Sequence, residues 1–350
     1  GFKCAQELLV RGRLSLSAIC CGGLKQALHI TRWWAKERKQ WRKRIGEHEL
    51  VAEELVDIAS RTFVGDALVT YSSLLVDRDQ DYRLTSPVCK IIATDSYWSA
   101  INELFEIRAG RGFETYYSQK ERGEIPVAVE RMLRDAPINL IFEGENKVLR
   151  IYEGREGMAE YGNKDAILDN PASSWTEKLK TIGWVLGLFV RSFQLAGLSL
   201  FSHRRFIKKE TQKLSRHILL TGIWYQVLFP KLISLIHYFS PTSELPRGGL
   251  AHRQIVARHL TDRAINLFLM SLAISYAKSK KNMQIAEDLA DYFCWQTREK
   301  ILHTKQSRLW WILFGYHRRV VGLAKRIMAG EAKELEVEIL SALEKEGIIV

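Results

Sequence analysis

Glu130-Arg131-Met132-Leu133-Arg134-Asp135-Ala136-Pro137-Ile138-Asn139-Leu140-Ile141-Phe142-Glu143-Gly144-Glu145-Asn146-Lys147-Val148-Leu149-Arg150 is the stretch on which the reading of this chain turns. After Pro137 an apolar run, Ile138 to Phe142, leads into Glu143-Gly144-Glu145-Asn146, where a further helix is expected to begin. Acidic residues at such a start are favoured by the helix dipole, so the turn taken alone needs no role beyond structure. Its neighbours on both sides decide whether it has one.

Upstream, Phe2 to about Gly46 carries a helical pattern, with Gly12 expected as a break and Trp33, Trp34 and Trp41 set among Arg and Lys. A second long helix is expected from His48 to about Val76, where Leu50, Val51, Leu55, Ile58, Ala59, Val64 and Leu68 fall near helical spacing. The run Asp77 to Asp81 ends it as a solvated turn. A third helix, from about Pro87 to Ile107, stops at Ala109-Gly110-Arg111-Gly112, whose glycines permit backbone angles that other residues disfavour. Phe113 to Ile125 is polar and reads as a surface loop, and Pro126 suits the first turn of a short helix. Long helices with short connections describe an all-α bundle. Composition shifts between Glu153 and Asp169, ahead of Asn170-Pro171, which predicts two domains, 1–158 and 159–350. The second is helical in pattern as well. It has apolar segments from Ile182 to Phe201 and from Ile218 to Phe239, a turn from Pro241 to Gly249, and an amphipathic terminal helix closing at Val350.

The bulk numbers agree with two folded domains: 350 residues, 47% hydrophobic and 26% charged. A formal net charge of +12 suits an anionic partner, whether a nucleotide-bearing substrate, an anionic membrane surface or nucleic acid. Cys4, Cys20, Cys21, Cys89 and Cys294 form no CxxC pair and stand near no His at metal-ligand spacing, so no disulfide framework and no metal site are expected, and a reducing compartment is. The chain begins Gly-Phe-Lys without an initiator Met, and a fragment whose beginning is missing is expected.

The stretch 130–150 resembles the acyl-CoA dehydrogenase signature, Arg-Asp followed by Ile-Phe-Glu-Gly-Thr-Asn. Two more segments occur in the family's order. Arg38-Lys39-Gln40-Trp41 resembles Arg-x-x-Phe, and Glu106 to Phe113 resembles Gln-x-x-Gly-Gly-x-Gly-Phe. Together they span the family's carboxyl-terminal helical domain. Leu260 to Leu267 resembles the extra helical domain of the very-long-chain members.

The resemblance implies FAD-dependent oxidation of an acyl-CoA to the trans-2-enoyl-CoA, in a homodimer that passes electrons to an electron-transfer flavoprotein in fatty-acid β-oxidation. It implies that Glu143 removes the α-proton, because a carboxylate in a water-poor pocket is a stronger base than in water. Some members carry the base at the position of Gly12, where glycine cannot do that work. Val10, Arg11, Gly12, Arg13 and Gly144 are implied in substrate binding, with Arg13 the guanidinium best suited to phosphate. Arg38, Trp41, Glu106, Ile107, Arg108, Ala109, Gly110, Glu145, Asn146 and Lys147 are implied at the cofactor. Four positions depart from the pattern: Glu106 for Gln, Ala109 for Gly, Arg42 for the Gly after the aromatic, and Glu145 for Thr. They motivate the alternative of a non-catalytic relative acting as a helical assembly or membrane-docking protein.

In the second domain Ile182, Val185, Leu186, Phe189, Phe193, Ala196 and Leu200 form an apolar stripe, followed by His203, Arg204, Arg205, Lys208 and Lys209. Residues 182–209 therefore suit peripheral contact with an anionic membrane, and a mitochondrial-matrix or cytoplasmic location follows from the resemblance. Arg191 would stand near mid-membrane in a spanning helix, which argues against one. Nucleic-acid binding through Arg32 to Arg44 has the charge and stacking groups it needs but accounts for nothing after residue 50, and is not expected.

Overall fold

The computed structural model describes residues 2–187, 190, 217, 254–280, 282–302 and 316–336. The fold is all-α, as the sequence predicts, and a hairpin of two-residue strands supplies the β-structure among these residues.

Contacts divide the chain into two compact units, Gly1–Asn146 with Leu272–Val350, and Lys147–Ser271. In the first, α1 (Phe2–Glu37) is followed by strands β1 (Lys39–Gln40) and β2 (Lys43–Arg44), then α2 (Glu49–Asp77) and α3 (Thr85–Arg108). The short helices α4 (Gly110–Phe113), α5 (Tyr116–Glu121) and α6 (Val129–Asp135) precede a 3-10 turn, Ala136–Leu140. Helix α2 is central. Leu55, Val56, Ile58, Ala59, Phe63 and Leu68 are buried along it, so it is apolar on more than one face. It packs against α1, α3, α9 (Ala286–Leu302) and α10 (Tyr316–Ala329). Segments late in the chain thus complete the core of the unit that α1 begins. A 3-10 turn at Lys333–Leu335 returns to α1, where the buried Glu336 takes two hydrogen bonds from Arg32, 2.5 and 2.7 Å, and one contact of 3.1 Å with His29.

Sequence expectations are corrected at four places. Helix α1 runs unbroken through Gly12 and ends at Glu37 rather than near Gly46, because the chain reverses in a hairpin at Trp41 and Arg42, φ 48° and 66°. Two consecutive left-handed residues match the twist of a two-residue hairpin and cannot continue a helix. The polar stretch 113–125 contains α5, started by the Thr115 hydroxyl accepting from the Ser118 N–H. The short helix expected from Pro126 starts instead at Val129, as α6; residues 153–169 continue α7 (Asn146–Asp169).

In the second unit α7 and α8 (Gln254–Ser279, as far as Ser271) approach closely. A Cβ on Gly154 would stand 2.6 Å from the Thr261 hydroxyl, and Arg150 donates to Asp262 at 2.8 Å. Residues 175–187 are helical, with Trp175, Leu179, Ile182 and Leu186 exposed. Of the expected stripe, Phe189, Phe193, Ala196 and Leu200 lie outside the described residues, as do the basic run 203–209, the apolar segment 218–239, the turn 241–249 and the terminal helix. No helix among the described residues is long and apolar enough to cross a membrane.

Candidate active site

Glu143 stands between the 3-10 turn and α7, in a turn where the backbone must reverse within a few residues. Its φ is 61° and that of Gly144 is 104°. A non-glycine residue in the left-handed region stores about 1 kcal/mol or more of strain, which persists where the surroundings over-determine it. Here they do. Arg13 Nε, from α1, donates to the Glu143 carbonyl at 2.9 Å. Lys90 Nζ, from α3, donates to the carbonyls of Leu140, 3.1 Å, and Gly144, 2.7 Å, and to Asn146 Oδ1, 2.7 Å. Two cationic side chains from two helices therefore hold three carbonyls around Glu143, and charge-assisted bonds of this kind are stronger than neutral ones.

The Glu143 side chain reaches α1. An ideal Cβ on Gly12 would meet both of its carboxylate oxygens at 2.6 Å, so the carboxylate lies in the space glycine leaves. Its Oε2 is buried with no hydrogen-bond partner. A buried acceptor left without a donor is costly and is seldom tolerated without a role. The structure thus brings together Gly12, Arg13, Glu143 and Gly144 from segments 130 residues apart.

Other expected residues fall in several environments. Val10 is buried, and its carbonyl accepts from Ser86 Oγ at 2.7 Å, while Arg11 is exposed. Asn146 is buried rather than presented to solvent, and its amide nitrogen donates to Thr94, 2.9 Å, and Asp95, 2.7 Å. Glu145 is half-buried and Lys147 exposed. Arg38 lies 6.0 Å from the Trp34 ring centre, and Trp41, 83% exposed, tips the hairpin with an edge contact to His48. Arg38, Lys39, Arg42, Lys43 and Arg44 are all exposed around it.

In the strip 106–110, Glu106, Ala109 and Gly110 are exposed, but Ile107 and Arg108 turn inward. The Arg108 guanidinium is 4.5 Å from the Trp34 ring centre and 5.6 Å from that of Trp33, and it donates to Gln119 at 3.1 Å. Burial pulls its pKa down to about 10. Ala109 has φ 51° and ψ −133°, the position where glycine is usual.

Sequence reasoning missed Lys90. The signal was present: a lone ammonium within Pro87-Val88-Cys89-Lys90-Ile91-Ile92-Ala93 must find acceptors if that run is buried. Burial lowers its pKa to about 8, with Asp95 opposing that shift. Cys20 and Cys21, whose pKa values burial raises to about 12, are free thiols in the interior, and Cys89 and Cys294 are free and buried too.

Comparison with known proteins adds relatives to this geometry. Residues 1–157 match the family model described as "Acyl-CoA dehydrogenase, C-terminal domain". The Mycobacterium tuberculosis (strain ATCC 25618 / H37Rv) protein named "Probable acyl-CoA dehydrogenase FadE10" is 30% identical over 321 residues, 86% of this chain and 46% of that protein. The mitochondrial very long-chain specific acyl-CoA dehydrogenase of Bos taurus is 25% identical over 314 residues, 86% of this chain and 44% of that protein. The chain spans about half the length of the curated relatives it matches. A Bacillus anthracis acyl-CoA dehydrogenase, whose crystal structure is complexed with FAD, shares the fold at TM-score 0.67 and 16% identity, over 96% of this chain and 57% of that one.

Proposed function

From the match of residues 1–157 to the acyl-CoA dehydrogenase carboxyl-terminal domain model we propose that the complete protein is an FAD-dependent acyl-CoA dehydrogenase with Glu143 as the base. The observation that carries the proposal is the Glu143 carboxylate, seated against Gly12 with Oε2 buried and unpartnered. An Oε in that setting accepts the proton from the α-carbon of an acyl thioester, a weak carbon acid that needs a fixed base and hydrogen bonds to its carbonyl oxygen. By family resemblance the Glu143 backbone N–H supplies one of those bonds. The turn's rigidity matters to this step, since Glu143 must present the same oxygen to each substrate.

The residues present fit the flavin. The hairpin gathers Arg38, Lys39, Arg42, Lys43 and Arg44 around an exposed Trp41, donors and a ring surface suited to a pyrophosphate and its nucleoside. Ala109 and Gly110 offer exposed backbone at the end of α3. FAD, when bound, supplies the acceptor for the hydride from the β-carbon.

The proposal extends to a long-chain substrate, a homodimer and an electron-transfer flavoprotein as acceptor. It also includes peripheral membrane contact through 182–209 in the mitochondrial matrix or cytoplasm. Support for the contact is the exposed apolar series Trp175, Leu179, Ile182, Leu186 and Val190, spaced at three and four residues.

Glu143→Gln in the complete protein tests the central assignment. Turnover of an acyl-CoA should fall on the order of 10³-fold with bound flavin retained. Undiminished dehydrogenation would remove Glu143 from the reaction.

A further inference from the structure

We infer that Lys90 is the positioning residue of this site: its ammonium, by holding the carbonyls of Leu140 and Gly144 and the Asn146 carboxamide, fixes the strained turn that aims Glu143 at the substrate. The inference rests on Glu143 being the base. Lys90 is fully buried and donates to the carbonyls of Leu140 and Gly144 and to the Asn146 carboxamide rather than to Glu143's carboxylate, so its effect passes through the backbone. Leu140 and Gly144 bracket Glu143, and the two acceptors on either side converge on one nitrogen. Asn146, the first residue of α7, is held in turn by Thr94 and Asp95, one turn further along α3. The frame of the turn is therefore a single polar cluster that Lys90, Thr94 and Asp95 of α3 build around Asn146, with Arg13 of α1 holding the Glu143 carbonyl.

An ammonium offers three N–H donors, one for each acceptor; a neutral amine offers two and must abandon one. Deprotonation would then free one end of a turn whose left-handed φ values at Glu143 and Gly144 are kept only by such restraints. With the pKa of Lys90 brought down to about 8 by burial, that loss falls within an accessible range. The titratable groups facing Lys90 are Asp95 on its own helix, Glu145 in the turn, and Cys20 and Arg13 on α1. Asp95 and Glu145 favour the ammonium and Arg13 opposes it, while Cys20, its pKa raised to about 12 by burial, stands there as a neutral thiol.

The test uses the complete, flavin-loaded protein carrying Lys90→Met, Lys90→Arg or Glu143→Gln, and reads bound flavin, kcat, KM and the pH profile of kcat with an acyl-CoA. Lys90→Met should keep its flavin and hold KM within about threefold while kcat falls on the order of 10²-fold, the usual cost of a misplaced reacting group. In the parent, kcat should decline above about pH 8; in Lys90→Arg, whose guanidinium stays charged, that decline should move up by about a unit or more. A merely structural lysine would lower the yield of flavin-bearing protein and leave the pH profile of the remainder unmoved. That result overturns the inference, as does parental kcat in Lys90→Met. Should Lys90→Met fail to fold, the Lys90→Arg profile decides: an alkaline decline at the parental pH refutes it. Glu143→Gln keeps the two ideas apart. Full turnover there refutes the base, whereas an inactive Glu143→Gln beside a fully active Lys90→Met refutes Lys90 alone.

Discussion

The carboxylate of Glu143 fills the space that any side chain on Gly12 would take, with both oxygens 2.6 Å from where a Cβ would stand. Gly12 lies inside α1 and Glu143 in a turn 131 residues later, so one position's lack of a side chain is the other's seat.

Gly12→Ala should therefore separate activity from stability. Alanine in a helix interior is favoured over glycine by about 0.5–1 kcal/mol. Its methyl group would collide with the end of a side chain rather than with backbone, and Glu143 would give way. The expected outcome is a thermal midpoint equal to or above the parent's, with kcat of the complete protein down about tenfold or more, as misaligned reacting groups require. A kcat equal to the parent's would show that the carboxylate's place against α1 is immaterial.

Ala109→Gly should stabilise the protein. Ala109 is exposed, and its φ of 51° with ψ of −133° is a conformation in which a Cβ is crowded. Relief of that strain is expected to add about 1 kcal/mol, less what glycine's freedom in the unfolded chain takes back. Denaturant midpoints of the two proteins measure it, and a lower midpoint for the variant would contradict the strain.

Arg108 provides a contrast between removing volume and removing charge. It is 2% exposed, against Trp33 and Trp34, and its Nε and Nη1 have no hydrogen-bond partner. Arg108→Ala should cost about 3 kcal/mol through the cavity between the indoles and α5. Arg108→Met keeps most of the volume and relieves two orphaned donors, and should stay within about 1 kcal/mol of the parent. Urea unfolding distinguishes them; equal losses would mean that the charge, not the packing, stabilises this corner.

Glu336 confers a pH dependence. Burial would raise its pKa, but the bonds from His29 and Arg32 outweigh burial and hold it below the ordinary carboxylate value. Its contribution to stability is thus complete above the unfolded value of about 4.3 and is lost as the pH falls through the depressed folded value. Glu336→Gln should cost about 2–3 kcal/mol at pH 7, and the difference from the parent should shrink steadily below about pH 4. Unfolding curves at both acidities check this, and a difference independent of pH would show that the carboxylate is not ionised in the folded protein.

The sequence by itself determined the all-α class, the extent of α2 and α3 to within about two residues, and the likeness of residues 1–157 to the acyl-CoA dehydrogenase carboxyl-terminal domain. It could do so because helical periodicity is local, and because the string from Arg134 to Asn146 is specific as a string. It also singled out Glu143 and Gly12, though as separate positions. Only the tertiary structure decided that they touch, that Arg13 is spent on the Glu143 carbonyl, that Arg108 faces inward between two indoles, and that α9 and α10 pack on α2. The hairpin at Trp41 and Arg42 escaped for a related reason, since neither residue is one that ordinarily announces a left-handed turn. Lys90 stood out only as a lone ammonium in an apolar run; its role escaped because two of its three acceptors are backbone carbonyls, which every residue carries and no sequence marks.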